Sequence, residues 1–196
     1  MANWCRSIVR VLGPEPDVAR LVAHVEQEDE EQEGSLTQIA DCYVMQRASG
    51  QVKYEVMAKY RPPLDRLAEI SRQFPTLTLN IEWDQPGDEL LGCAVIANGN
   101  KNVLVLDDLV RCARDRMREV FRQQFRDEWE DDAGCEADLV LGWEILREAS
   151  RLHCGDSGDE EVRRENDWPE VREFARHAVR DAFDAAKRGR WQEEGF

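Results

Sequence analysis

Residues 74–93, FPTLTLNIEWDQPGDELLGC, decide the fold. Pro75 closes whatever precedes it, and residues 77–83 read as a strand. Gln85-Pro86-Gly87 is a turn, after which ELLGCAVIANG and then NVLVL supply one or two further strands. Nothing in this stretch provides the residue types that a known reaction needs, so it reads as scaffold.

Upstream, RSIVRVLG from Arg6 alternates apolar and polar residues and stops at Gly13-Pro14, as a strand running into a turn does. A helix follows, with Pro16 in its first turn, Glu15 and Asp17 at its positive end, and a narrow apolar stripe of Val18, Leu21, Val22 and Val25. The run EQEDEEQEG over 26–34 has nothing to bury and is expected to fray that helix into a solvated loop. SLTQIADCYVMQ and QVKYEVMAKY are two strands joined through Arg47, Ala48, Ser49 and Gly50, and Val52, Tyr54, Val56, Ala58 and Tyr60 share one face of the second. RPPLDRLAEISRQFP is a helix begun at Pro62-Pro63, with Leu64, Leu67, Ala68 and Ser71 inward.

The order strand, helix, strand, strand, helix, strand is that of an α+β, ferredoxin-like split βαβ unit, an antiparallel sheet with two helices on one face. It is expected to span 1–106. From 107 to 196 the pattern becomes that of an α-helical region. Val110, Ala113, Met117, Val120, Phe121 and Phe125 stripe a first helix that Asp107 or Asp108 caps. Leu139, Trp143, Leu146 and Ala149 stripe a second, and the acidic, glycine-bearing HCGDSGDEE interrupts it. A last helix starts near Trp168-Pro169, carries Val171, Phe174, Ala175, Ala178, Ala182 and Ala186, and stops at Gly189.

The opening MANWC, together with YRPPLDRLAEISRQFPTLTLNIEWDQPGDELLG, resembles the YubB-type family of plasmid, phage and genomic-island proteins with a ferredoxin-like domain. An Asn-Trp-Cys start, a Pro-Pro helix start, a Phe-Pro before the fourth strand and a Pro-Gly turn after it occur in the family in this order. The resemblance covers roughly residues 1 to 100 and implies the fold and a mobile-element habitat, with no reaction attached. The Trp-Gly-Thr-Lys-Trp-like stretch of the family is replaced here by RASGQVKY.

The 196 residues are 42% apolar, enough for a packed core, and 41 acids against 26 bases give a formal charge of −15. Such a charge opposes direct binding to nucleic-acid backbone or to an anionic membrane. Cys5, Cys42, Cys93, Cys112, Cys135 and Cys154 form no CxxC pair, so neither a zinc ribbon nor a redox dithiol is written here, and the thiols read as reduced and structural. No segment has the roughly 20 apolar residues of a membrane span, and the start lacks a basic leader with an apolar run, so a cytoplasmic protein is expected. No cofactor and no metal are expected.

Four features compete for function. Cys5 beside Trp4 could be a nucleophile only with a base to make its thiolate; the alternative is that both plug the end of the sheet, as a buried cysteine commonly does. His24 and His177 fall on polar helix faces, and His153-Cys154 has no matching ligand at metal spacing. Tyr54 and Tyr60 occupy a strand that in RNA-recognition modules stacks bases, but no basic-aromatic block accompanies them, so packing is expected. The acids are the positive signal: residues 26–33 hold six acids and residues 127–138 hold seven, with no base in either. They lack the Asp-x-Asp-x-Asp-Gly register of a calcium loop.

The expected activity is that of a non-catalytic, acidic interaction protein of a mobile element or phage. Its acidic patches, Glu28, Asp29, Glu30 and Glu31 in one block and Glu128, Glu130, Asp131 and Asp132 in the other, would meet a host protein with a basic surface. Inhibition of an immune complex by covering its nucleic-acid-binding surface, as an anti-CRISPR or other counter-defence protein does, is the concrete form. The alternatives are an enzyme using Cys5 or an Asp/Glu pair, and an acidic accessory factor in plasmid or phage DNA metabolism.

Overall fold

The computed structural model describes residues 4–31, 39–85, 90–124, 132–155 and 169–187. It is a mixed α+β structure that divides into two compact units, Met1–Val105 and Leu106–Phe196.

The first unit holds β1 (Trp4–Leu12), α1 (Glu15–Glu31), β2 (Ile39–Ala48), β3 (Gln51–Lys59), α2 (Leu64–Gln73), β4 (Thr78–Gln85), β5 (Leu90–Ala97) and β6 (Asn100–Val105). The strands form one open antiparallel sheet in the order β2-β3-β1-β4-β5-β6. β1 lies inside it, paired on one side with β3 and on the other with β4, and Val9 stands opposite both Tyr54 and Ile81. Because side chains alternate along a strand, this register sends Cys5, Val9 and Val11 to one face together with Val52, Tyr54, Val56, Leu79, Ile81 and Trp83. Val18, Leu21 and Val22 of α1 and Leu67, Ala68, Ile70 and Phe74 of α2 complete that core. Ile70, outside the inward set that the sequence predicts for α2, is only 8% exposed.

Both terminal strands beyond β4 exist, and Asn98-Gly99 joins them with positive φ at both residues (48° and 77°), the conformation that a two-residue hairpin turn requires. The turn is also held from α2. The Gly99 N–H donates to Ser71 Oγ at 2.7 Å, and Ser71 Oγ donates to the Ala68 carbonyl at 3.0 Å, so a hydroxyl buried in a helix both donates and accepts. Lys101 forms an ion pair with Asp65 alongside. The β2–β3 hairpin is tighter than the sequence suggested: Ala48 and Gln51 are paired, and only Ser49 and Gly50, the latter at φ 68°, make the turn.

Two expectations for this unit fail. α1 does not fray at Glu26 but runs to Glu31, because Glu and Gln are good helix formers even where burial offers nothing. Tyr60 is not inward: it follows the end of β3 with φ 68° and is 61% exposed, since the chain has already left the pleat.

The second unit contains α3 (Asp107–Gln124), α4 (Asp132–Cys154) and α5 (Pro169–Lys187). Leu109, Val110, Ala113 and Met117 of α3, Leu141, Ile145, Leu146 and Ala149 of α4, and Val171, Ala175, Val179 and Ala182 of α5 are buried. On α4 the expected Leu146 and Ala149 are buried and Leu141 and Ile145 join them, whereas Trp143, expected in the same stripe, is only half-buried. Phe125 and Gly189 lie outside the described residues.

Trp83 faces Gly92 across the β4–β5 ladder, and a Cβ at residue 92 would overlap the indole. Gly92→Ala is therefore expected to destabilise the first unit by about 1–3 kcal/mol through overpacking. Urea unfolding followed by tryptophan fluorescence checks this, and an unchanged midpoint would show that the ring relaxes without cost.

Candidate functional site

The sequence-derived acidic residues are placed as follows. Glu28, Asp29, Glu30 and Glu31 occupy the final turn of α1, which carries no basic residue. Asp132 is the first residue of α4, and Glu128, Glu130 and Asp131 lie outside the described residues. A helix C-terminus carries a partial negative charge from its unpaired carbonyls, so the acids at the end of α1 reinforce that charge instead of cancelling it.

Cys5 is fully buried in the core beneath the helices, in register with Ala58 of β3. Burial pushes its thiol up to about 11, the nearby Ser7 side chain pulls partly the other way, and the charge of Asp84 pushes it further up. A thiol held neutral and out of solvent is a poor nucleophile at neutral pH. Its neighbour does not plug the sheet with it: Trp4 is 40% exposed, with the Lys59 ammonium 5.8 Å from its ring centroid.

The alternate residues of β1 build a charged lattice on the other face. Glu55 and Glu82 stand on either side of Ile8, one on β3 and one on β4. Arg6 clamps Glu55 with Nε at 2.8 Å and Nη2 at 3.1 Å, and Arg10 reaches Glu82 with Nη1 at 2.8 Å. The hydrogen bond from Arg6 holds the Glu55 carboxyl below its usual range. Asp84, opposite Arg6 in the β1–β4 register, goes the other way: burial raises it against the pull of Arg6. An acid–base pair needs one carboxyl free to exchange a proton with substrate. Here Glu55 and Glu82 are each tied to a guanidinium.

The histidines diverge from one another. His177 is exposed, as its helix face implied, but His24 is half-buried, its ring 5.7 Å from that of Phe74. Among the described residues no group of three or more His, Cys, Asp or Glu side chains could hold a metal ion.

One constellation escaped the sequence reading. α4 carries Glu144, Arg147, Glu148 and Arg151 at helical spacing, and α5 carries Arg172, Arg176 and Arg180 four residues apart. Arg172 Nε donates to Glu144 at 3.2 Å, while Glu148 accepts from Arg151 at 2.9 and 3.0 Å and from Arg180 Nε at 3.3 Å. The hydrogen bond from Arg151 leads in holding Glu148 below the ordinary carboxylate range, with Arg180 adding to it. The i, i+4, i+8 arginines of α5 were the available signal, masked by a net charge of the opposite sign.

Comparison of the chain with family models, with curated proteins and with solved structures finds no match.

Two measurements follow from these shifts. The Cys5 thiol keeps its proton in the folded protein to about 11, while the unfolded chain releases it near the ordinary thiol value, so stability must fall as pH rises between the two. Cys5→Ser should cost about 1 kcal/mol at pH 7 and flatten that alkaline loss, read from urea midpoints at a series of pH values; rapid labelling of Cys5 in the native protein would refute its burial. For Asp84 the folded carboxyl is likewise raised, so its stability contribution is present below the unfolded value near 4 and lost as pH rises through the folded one. Asp84→Asn should therefore raise the melting temperature at pH 7 and have no effect at low pH; destabilisation at pH 7 would show that the attraction of the Arg6 charge outweighs burial.

Proposed function

We propose that this chain is a non-catalytic, acidic interaction protein of a mobile element or phage that binds and inhibits a basic host protein. An immune complex whose nucleic-acid-binding surface it covers, in the manner of an anti-CRISPR or other counter-defence protein, is the concrete target class. The observation that carries the reading is the end of α1. Glu28 to Glu31 are held on a helix whose own dipole adds to their charge, with no base in the turn. A charge run that merely solvates a loop needs no such framework. A like-charged helix end presents a negative field to a partner, and complementary charge raises encounter rate and rejects wrong partners.

The strand order β2-β3-β1-β4, with α1 and α2 contributing to one core, supports assigning the first unit to the ferredoxin-like class and to the YubB-type family. In this reading β5 and β6 are an added hairpin, the second unit is a helical region, and the protein works in the cytoplasm. The competing enzyme reading loses its nucleophile to the burial of Cys5.

Affinity capture from bacterial lysate followed by mass spectrometry identifies the partner, and association kinetics test the interface. Replacing Glu28, Glu30 and Glu31 by Gln and Asp29 by Asn should slow association about tenfold at low salt with little change in dissociation or folding. The same treatment of Glu128, Glu130, Asp131 and Asp132 tests the second block separately. Wild-type association should weaken as the screening length falls from about 8 Å at physiological salt to about 3 Å at 1 M. Kinetics indifferent to both charge sets and to salt would reduce the acids to solubility residues.

A further inference from the structure

The cluster on α4 and α5 encloses a cleft of about 290 Å³ lined by Glu144, Arg147, Glu148, Arg151, Arg176 and Arg180. We propose that this cleft is an anion site that takes a phosphate group, free or carried by a small molecule.

Charge balance is the first reason. Among the described residues four guanidinium groups line the cleft against two carboxylates, in a chain whose formal charge is −15. Gathering cations beside one another is unfavourable unless something negative joins them. The second reason is preorganisation. Glu148 is 8% exposed and its two oxygens accept from Arg151 and Arg180, so it fixes both guanidinium groups in place. Arg180 uses Nε for that bond, which leaves its Nη groups to donate elsewhere. Arg176, one turn before Arg180 on α5, makes no hydrogen bond or ion pair among the described residues. A planar fork with donors to spare matches the tetrahedral oxygens of a phosphate, which it binds in bidentate fashion.

The lining also states what the ligand is not. Among the described residues all six that line it are charged, with no aromatic or aliphatic side chain to stack a base or shelter an acyl chain. Recognition is therefore of the phosphate itself, and a larger molecule would be held by its phosphate end with the remainder in solvent.

Isothermal titration of the full chain with inorganic phosphate, with pyrophosphate and with a simple phosphomonoester, in low-salt buffer, tests the site. Saturable binding at one site per chain is expected, tighter for pyrophosphate because two phosphate groups meet the surplus positive charge. If the monoester equals inorganic phosphate, the site reads the group and not its carrier; if it binds more tightly, the carrier makes contacts that the charged lining does not provide, and the assignment to the phosphate alone is overturned. Arg176→Gln should weaken binding by about tenfold or more, since a hydrogen bond to a charged group is lost, with an unchanged melting temperature. Arg176→Lys should recover part of the affinity, keeping the charge without the fork. Arg61→Gln, on the other unit, controls for net charge and should bind as wild type does. Absence of saturable binding to the wild type, or equal weakening by the Arg176 and Arg61 changes, would overturn the proposal.

Discussion

The first unit depends on the register of β1. This strand is paired on both sides, so one alternation of its side chains must satisfy two environments at once: Cys5, Val9 and Val11 in the core, Arg6 and Arg10 on the opposite face among carboxylates. A slip of one residue would drive two guanidinium groups into an apolar core and leave Glu55 and Glu82 without their partners, a cost of several kcal/mol per buried ion. The two arginine–glutamate pairs thus contribute more to the uniqueness of the register than to its net stability. Arg6 is 41% exposed at its side chain, where an ion pair is worth little, whereas Arg10 at 9% is the one whose misplacement would be felt.

β5 and β6 extend the consequences of that register. Adding a hairpin beside β4 converts an edge into an interior strand, and Trp83 then has a partner strand on which to lie. Gly92 provides the room, and Ser71 on α2 grips the far turn. Sheet, hairpin and helix are joined by three kinds of contact, each needing the others in place.

The elements of the first unit were legible in the sequence because periodicity and turn residues agree there: Gly13-Pro14, Pro62-Pro63 and Pro75 each stand at a boundary. Where local signals conflict, reading failed. The acidic run after Val25 lacks apolar spacing, so it resembled a loop, although its residues individually favour a helix. The seam of α4 was legible at Leu146 and Ala149, but that helix is apolar on more than one side, so Leu141 and Ile145 are buried too while Trp143 is half-buried. Of the candidate site, the burial of Cys5 followed from its place in an alternating strand. The pairing of Glu55 and Glu82 with arginines on a third strand did not, since partners 49 and 72 residues away are set by topology alone. The arginine cleft was invisible for the same reason, compounded by a net charge that directed attention to acids.

β2 forms one margin of the sheet, and Tyr43, Val44 and Met45 on it are exposed. A flat apolar margin would be a template for copying: any extended peptide could lengthen the sheet by one strand. β2 is not flat, because its pairing with β3 shifts register twice, between Ile39 and Asp41 and again between Val44 and Gln46. Each irregularity twists the strand and interrupts the spacing of its outward N–H and C=O groups. The margin therefore offers side chains without offering a ladder. Strand-by-strand growth from one copy to the next is thereby disfavoured within the fold itself.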